Sequence, residues 1–193
     1  MRSIVTGGCG FVGSTLAREL VNRGDRVLAI DAKLKSTPVP ALADLSGNEN
    51  FVRLQADVTD RTLMRSLFRE FTPDRIFHLT APRADEPGEA FEADIACTFS
   101  IMDAARIELE RRDPEARKGF RIVCAGRRAS QTAPDAAPEF RSASTSLRAN
   151  LLEKYAAAFD LQVDTFEDLL VLVFQLHVQV LDTQHLLFLS TAP

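Results

Sequence analysis

The sequence has few cysteines and histidines and no dense basic stripe. Its three cysteines, Cys9, Cys97 and Cys124, are far apart and near no histidine cluster. A disulfide framework, a zinc site and other metal sites are therefore not expected, and a reduced, cytoplasmic setting is the simplest interpretation. A net charge of -4 and a pI near 5.4 argue against nucleic acid or an acidic membrane as partner, because binding either one needs concentrated positive charge. We expect small-molecule or protein partners.

Signals for secretion or membrane insertion are also lacking. The sequence opens with MRSIVTGG, which leads directly into structure and offers no charged segment followed by a long apolar one. Residues 169–189 are apolar, but polar side chains interrupt them, which is rare in a membrane span of about 20 residues. These side chains are Gln175, His177, Gln179, Asp182, Gln184 and His185. We therefore expect a soluble protein without a membrane span.

Strand-like and helix-like segments alternate along the chain, whose 193 residues suit one domain, 1–193. We predict strands at 3–6, 26–31, 51–55, 75–79 and 120–125, and helices at 11–23, 59–71 and 91–111. Residues 33–50 are expected to be irregular and to border a site. Such alternation implies parallel strands joined by helical crossovers, and so an α/β fold, a three-layer sandwich.

Residues 161–193 are divergent and allow two interpretations. Residues 161–166 alternate like a strand, after which Thr165 and Asp168 could cap a helix to about Leu181, with a last strand at 185–190. Residues 174–180 alternate too, so a β-hairpin is the rival; we favour the helix. The segment 165–190 is a predicted interface, in a homodimer or with a partner protein.

A glycine-rich loop follows the first strand. Residues 4–14 read IVTGGCGFVGS, with three glycines spaced by two residues between a strand and a helix. The first permits a tight turn, the second lets the backbone approach a pyrophosphate, and the third allows the helix to pack closely on the strand. The amides and dipole at the helix start favour phosphate. The predicted contact residues are Gly7, Gly10, Phe11, Val12 and Gly13.

Carboxylates follow the second and third strands. Asp31 lies 18 positions after Gly13, where a carboxylate can bind ribose hydroxyls. Because it would repel a 2'-phosphate, we expect NAD in preference to NADP; the alternative is that Asp31 caps the turn after the strand. Asp57 and Val58 lie where an adenine could be held, and Asp57 could equally cap the next turn.

Four motifs together carry a family resemblance: TGGCGFVGS at 6–14, DVTD at 57–60, PDRIFHLTA at 73–81 and FEADIACTFSIMDAAR at 91–106. They resemble the extended short-chain dehydrogenases/reductases, and most of all the dTDP-glucose 4,6-dehydratases. The resemblance covers 1–125 well and continues to about 163. It implies a Rossmann-type doubly wound parallel sheet that binds NAD, with Leu79 and Ala81 also at the cofactor and His78 in a packing role. The family's second, sugar-nucleotide domain is expected to be missing.

The family's catalytic motifs are altered in this sequence. Where the dehydratases resemble S-T-D-E-V-Y-G, residues 126–132 read GRRASQT. The family's Y-S-A-S-K aligns with 141–145, where Arg141 stands for the tyrosine and Thr145 for the lysine. Tyr155, the one tyrosine, has Phe159 rather than lysine one turn on. A guanidinium stays protonated and cannot accept a hydroxyl proton, so we expect the redox step to be disabled.

Arginine offers other chemistry at the same positions. We predict that the carboxyl ends of the strands carry Arg127, Arg128 and Arg141, which would bind an anion or stabilise an oxyanion there. Arg83 and Arg148 could join them. The first hypothesis is a non-redox enzyme for an anionic small molecule, catalysing cyclisation, elimination or decarboxylation. One alternative is a non-catalytic partner or sensor with a vestigial cofactor, its arginines merely solvated. The other is a conventional dehydratase or epimerase whose base is among Asp85, Glu86, Glu89 and Asp94.

Overall fold

Six parallel strands form one sheet in the structure, a computed structural model that describes residues 1–32, 39–80, 87–125, 154 and 163–166. The strands are β1 (Arg2–Thr6), β2 (Arg26–Asp31), β3 (Phe51–Gln55), β4 (Arg75–His78), β5 (Arg121–Ala125) and β6 (Val163–Phe166). Their order is β3-β2-β1-β4-β5-β6, and every neighbouring pair is parallel. Each connection must therefore return from one edge of the sheet to the other.

Helices cover both faces of the sheet. They are α1 (Phe11–Asn22), α2 (Arg61–Phe71), α3 (Pro87–Glu110), α4 (Pro114–Lys118) and a 3-10 helix (Pro40–Leu45). Successive strand residues point to opposite faces, so Ile4 belongs to the core under α2 and α3 whereas Val5 belongs to the core under α1. This is the doubly wound, three-layer Rossmann-type fold that the sequence predicted, and the prediction is confirmed.

Local signals explain where α2 begins and ends. The Asp60 side chain accepts a hydrogen bond from the Leu63 amide at 3.0 Å, which satisfies one of the unpaired donors of the first turn. At the other end Thr72 takes the left-handed conformation, with φ 46°, and its amide donates to the Phe68 carbonyl. The helix thus begins two residues later than the predicted position 59, because Asp60 rather than an earlier residue is the cap.

Other elements differ from the prediction in extent. Helix α3 begins at Pro87 instead of residue 91, and proline suits a first helical turn because it lacks the amide hydrogen that would be unpaired there. The 3-10 helix lies inside the stretch predicted as irregular, and its Leu42 and Leu45 are buried in the core under α1. Helix α4 was not predicted. Among the described residues, no helix is long and apolar enough to cross a membrane.

The predicted strand at 161–166 is confirmed by β6, which pairs with β5. The helix cap predicted at Thr165 is wrong, because Thr165 pairs with Cys124 and Phe166 continues the strand, so no helix starts immediately after Thr165. The remaining alternatives, a helix to about residue 181 or a hairpin at 174–180, lie outside the described residues, as does most of the predicted interface at 165–190.

Candidate functional site

The site lies where the strand order changes direction. Strand β1 is flanked by β2 on one side and β4 on the other, so the connections from β1 and β4 leave toward opposite faces of the sheet. In open α/β sheets the crevice at this point, beyond the carboxyl ends of the strands, is where ligands bind. The Leu79 amide donates to the Thr6 carbonyl at 3.2 Å and holds the end of β4 against β1.

The loop between β1 and α1 depends on glycine for its shape. Gly7 has φ 68°, and a Cβ there would lie 2.9 Å from the carbonyl carbon and oxygen of Leu79. A Cβ on Gly13 would lie 2.2 Å from the Gly7 carbonyl oxygen. The positive φ of Gly7 agrees with the turn role predicted for the first glycine, and Gly13 packs closely, although against the loop after β1 and not against the strand itself. At Gly10 a Cβ would meet one atom within 4 Å, the Gly7 oxygen at 3.2 Å, so its other sides are open.

The start of α1 presents backbone donors without a competing side chain. Gly10 is the N-cap, no side chain caps the helix, and its first turn has no acidic residue. The Ser14 amide makes a helical hydrogen bond, to the Gly10 carbonyl at 2.9 Å, so the amides of Phe11, Val12 and Gly13 precede the regular ladder. The Phe11 side chain is 88% exposed beside the crevice. An anion at this helix end would meet these amides and the positive end of the dipole.

Asp31 joins the end of β2 to the glycine loop. Its Oδ2 accepts a hydrogen bond from the Cys9 amide at 3.0 Å, while the Gly8 amide donates to the Ile30 carbonyl at 3.2 Å. The carboxylate is therefore fixed beside the loop, as a ribose-binding residue would have to be. The sequence did not indicate the bond from Cys9, because it depends on how β2 lies next to the loop.

The pKa of the Cys9 thiol depends on the charges near the end of β2 and the glycine loop. Burial raises its pKa, the negative charge of Asp31 raises it further, and the positive charge of Arg53 on β3 partly offsets both. The thiol is thus less acidic than an exposed cysteine. Because a thiolate is the reactive form, Cys9 is poorly suited to be a nucleophile.

Asp57 and Val58 have local structural roles in addition to any role with a ligand. The Asp57 Oδ1 accepts from both the amide and the hydroxyl of Thr59, each at 2.8 Å, which is the turn-capping role that the sequence left open. Val58 is buried in the core under α2 and α3. Asp57 lies near Asp31 along the sheet edge, because Ala56, the residue before Asp57, donates its amide to the Asp31 carbonyl at 3.1 Å.

His78 is fully buried and links three elements. Its Nδ1 lies 2.8 Å from the Thr6 hydroxyl on β1, and its Nε2 lies 3.5 Å from the Thr98 hydroxyl on α3. The Thr98 hydroxyl donates to the Asp94 carbonyl at 2.9 Å, so it can only accept from Nε2. Nδ1 then accepts from Thr6. These contacts agree with the packing role expected for this histidine.

Several predicted site residues lie outside the described part of the chain. These are Ala81, Arg83, Asp85, Glu86, Arg127, Arg128, Arg141 and Arg148, and Tyr155, which was not predicted as a site residue, lies outside it too. The predicted cofactor residues that are described, including Leu79, follow the carboxyl ends of β1, β2, β3 and β4 at one edge of the sheet, although Val58 is buried in the core. Within the described ranges, no group of three or more histidine, cysteine or acidic side chains could hold a metal ion.

Gly8 is a structural requirement that the sequence analysis missed. A Cβ there would lie 2.8 Å from the Ala29 Cβ on β2 and 3.1 Å from the Val5 carbonyl oxygen. The pair of adjacent glycines at 7 and 8 was the available signal. The spacing of the motif drew attention to three glycines, whereas close packing between the loop and β2 requires a fourth.

Comparison with known proteins agrees with this architecture. Residues 4–126 match the family described as GDP-mannose 4,6 dehydratase. The chain is 32% identical over 128 residues to the dTDP-glucose 4,6-dehydratase of Shigella flexneri, which covers 63% of this chain and 36% of that protein. The Neisseria gonorrhoeae enzyme of the same name is 32% identical over 125 residues. The chain thus spans about a third of the length of the curated relatives it matches.

Solved structures share the fold. The dTDP-glucose 4,6-dehydratase DesIV of Streptomyces venezuelae, solved as a double mutant with NAD and DAU bound, has a TM-score of 0.67 at 20% identity, and the match covers 86% of this chain and 54% of that one. The UDP-glucose 4-epimerase of Thermotoga maritima, solved with UDP-glucose, also has a TM-score of 0.67 at 20% identity, and the match covers 86% of this chain and 55% of that one. The resemblance to extended short-chain dehydrogenases/reductases that the sequence indicated is confirmed. With the family match spanning 123 of the 193 residues, the chain belongs to the GDP-mannose 4,6-dehydratase family.

Proposed function

We propose that this chain binds NAD in the crevice between the β1–α1 loop and the end of β4. The observation that carries the proposal is the combination of an open Gly10 and an uncapped helix start with Asp31 held beside them by the Cys9 amide. Backbone amides of α1 would hold the diphosphate, and Asp31 would accept hydrogen bonds from ribose hydroxyls. When bound, NAD would supply hydride-transfer chemistry.

The carboxylate also favours NAD over NADP. A 2'-phosphate placed on the adenosine ribose would bring negative charge next to Asp31, and like charges at such range repel. Relatives support the same choice, since structures such as the Thermus thermophilus UDP-glucose 4-epimerase were solved as NAD complexes.

Identification of the bound nucleotide tests this proposal directly. The purified chain would be denatured and any released nucleotide identified by mass spectrometry, and NAD and NADP would be titrated calorimetrically into nucleotide-free protein. Asp31→Asn is expected to weaken NAD binding about tenfold and to reduce the preference over NADP. Asp113→Asn, an exposed position before α4 at the other edge of the sheet, is the control. Absence of both released nucleotide and saturable binding would contradict the proposal.

A second part of the proposal concerns the reaction. The family relationship is to sugar-nucleotide dehydratases and epimerases, and we propose that this chain has lost their usual redox step and performs a non-redox reaction on an anionic small molecule. The supporting observation is that Arg141 and Thr145 stand where those enzymes resemble Y-S-A-S-K. Arg127, Arg128 and Arg141 would then bind the anion and stabilise negative charge that develops during the reaction.

Stopped-flow measurement distinguishes this proposal from a conventional oxidoreductase. The NAD-loaded chain would be mixed with dTDP-glucose while the absorbance of reduced nicotinamide is followed. We expect no reduction, because no tyrosinate accepts the hydroxyl proton, and Arg141→Ala should weaken binding of dTDP-glucose while Arg23→Ala leaves it unchanged. Rapid reduction of the nicotinamide would overturn the non-redox proposal and favour a conventional dehydratase or epimerase.

A non-catalytic role is the competing proposal, and the apolar stretch at 165–190 favours it. In that case the chain would bind NAD and present this stretch to a second copy or another protein. Light scattering at high concentration is the relevant measurement. A homodimer that binds NAD but neither binds nor converts dTDP-glucose would favour the partner or sensor role, whereas a stable monomer would count against it.

A further inference from the structure

A second candidate anion site lies far from the crevice, in a groove between α2 and α3. Both helices begin after the carboxyl ends of strands and return the chain to the opposite, amino edge, so their last turns lie at that edge. There the groove has a volume of about 170 Å³. It is lined by Arg65, Ser66, Arg69, Ile107, Glu108 and Arg111.

The two walls of the groove are fixed to each other by a buried carboxylate. Asp103 on α3, whose side chain is 5% exposed, accepts from Arg61 at 3.4 Å and from the Arg65 Nε at 2.8 Å, both on α2. On its own helix it also accepts from Arg106 at 3.2 Å. The separation of the helices, and with it the width of the groove, is therefore set without a ligand.

Positive charge in the groove exceeds what the protein itself neutralises. Within the described ranges, the side chains of Arg69 and Arg111 have no hydrogen-bond or ion-pair partner, whereas Glu108 is held by Arg112 at 3.2 Å. Arg65 and Arg69 are four residues apart on one face of α2, an arrangement in which like charges repel. The chain as a whole carries a net charge of -4, so this positive groove is a local feature and not a consequence of general basicity.

We propose that this groove binds a small phosphate-bearing anion, such as inorganic phosphate or diphosphate. Guanidinium groups match the geometry of phosphate oxygens and bind them bidentately, and the Ser66 hydroxyl adds a donor. The volume is below the 300 Å³ or so of pockets that hold drug-sized ligands, so it suits a phosphate group rather than a whole nucleotide. The site is independent of the dinucleotide crevice and of the reaction proposed for it.

A simpler role exists for each arginine alone. Arg69 lies in the last turn of α2 and Arg111 just after α3, where positive charge stabilises the negative end of a helix dipole. That role does not require the two side chains to converge on one groove together with Arg65 and Ser66. The two accounts differ in what happens when an anion is added.

Calorimetric titration of inorganic pyrophosphate into the full chain, in chloride buffer of matched ionic strength, tests the proposal. We expect saturable binding that the double variant Arg69→Gln/Arg111→Gln weakens about tenfold or more. Arg18→Gln, which removes one positive charge from α1 at the other face of the sheet, should change the affinity less than about twofold, since long-range effects are screened, whereas each single variant Arg69→Gln and Arg111→Gln should weaken it more. Phosphate and sulfate, titrated separately, show whether a diphosphate is preferred to a single phosphate or to any anion.

Three outcomes would overturn the proposal. The first is an absence of saturable binding to the unmodified chain. The second is unchanged affinity in the double variant, which would assign the binding to the glycine loop, where NAD would compete with it. The third is a double variant that unfolds at lower temperature yet binds pyrophosphate as before, which would leave the arginines with a role at the helix ends only. None of these results depends on whether NAD binding or the proposed reaction is correct.

Discussion

The two edges of this sheet are organised by different kinds of interaction. At the carboxyl edge, the β1–α1 loop uses backbone amides, four glycines and a helix dipole, and the first turn of α1 has no charged side chain. Toward the amino edge, the pair α2–α3 uses guanidinium and carboxylate groups, with Asp103 bound by three arginines. We propose an anion site in each region, and the donors would be backbone amides in the first and side chains in the second.

This difference predicts how each region tolerates change. Backbone donors are useful only when the chain approaches closely, and the loop leaves no room for one extra carbon at Gly7 or Gly13. Side-chain charges reach across several ångströms, can adjust their rotamers, and are weakened by salt. The glycine loop should therefore respond sharply to small substitutions and weakly to ionic strength, and the helix pair should show the opposite behaviour.

The largest expected effect comes from adding one methyl group to the loop. In Gly13→Ala the new Cβ would lie 2.2 Å from the Gly7 oxygen, so α1 or the loop must move. We expect a loss of unfolding free energy on the order of 3 kcal/mol, as in severe overpacking, and an NAD affinity reduced about 100-fold. Thermal unfolding and calorimetric titration measure the two effects.

Gly119→Ala is the matched control for this substitution. Gly119 has φ -86°, and a Cβ there would meet no atom within 4 Å. Its unfolding free energy should change by less than about 0.5 kcal/mol. Equal behaviour of the two variants would show that close packing does not shape the loop.

Removal of the Asp103 charge should have an intermediate effect. Asp103→Asn loses charge-assisted hydrogen bonds to Arg61, Arg65 and Arg106, and we expect the unfolding free energy to fall by about 1–3 kcal/mol. Denaturant unfolding measures it, and Asp44→Asn, which is exposed, should stay within about 0.5 kcal/mol of the unmodified chain. NAD affinity should be unchanged in Asp103→Asn, because α2 and α3 pack on the side of the sheet away from α1.

The same carboxylate predicts a pH dependence. Burial by itself raises the pKa of Asp103, but hydrogen bonds from Arg65, Arg106 and Arg61 outweigh it and hold the pKa below its usual value. The ionised Asp103 therefore stabilises the folded state fully above its unfolded-state pKa of about 3.9. This stabilisation is lost as the pH falls through the lower folded-state pKa. The difference in unfolding free energy between the unmodified chain and Asp103→Asn should be constant above about pH 5 and should shrink below pH 4. A constant difference down to pH 2 would contradict this assignment.

The smallest effect is expected at Cys9. Because Asp31 contributes to its raised pKa, Asp31→Asn should increase the rate of alkylation by iodoacetamide at pH 8 by about two- to threefold. Arg53→Gln should slow it, since that charge acts in the opposite direction. Cys97 and Cys124 are buried and provide internal controls, read by mass spectrometry of peptides. A faster reaction in Arg53→Gln would contradict the electrostatic account.

Much of the fold could be predicted from the sequence because its signals are local. Strands β2 and β3 have the predicted bounds, since β2 is an apolar run between Arg26 and Asp31 and β3 is a short segment that directly follows the turn-forming residues 47–50. The 3-10 helix and α4 were missed because five or six residues are too few to show helical periodicity. The cap at Thr165 was misjudged because pairing with β5 extended β6 past it.

The candidate site also has some features that local sequence signals indicate and others that depend on packing. The glycine spacing and Asp31 could be found because their roles follow from position along the chain. Three other features could not be predicted, because each depends on how separate elements pack. They are the bond from the Cys9 amide to Asp31, the contact of Gly8 with Ala29 and the groove between α2 and α3. The predicted catalytic arginines lie outside the described residues and remain a prediction.

The buried imidazole at His78 has a consequence for how this protein can vary. One ring bonds to hydroxyls on β1 and α3 at once, so an apolar replacement would remove the partner of the buried Thr6 hydroxyl, whereas the Thr98 hydroxyl would keep its bond to the Asp94 carbonyl. Homologues that lack the histidine should therefore have exchanged Thr6 as well, and more often than Thr98.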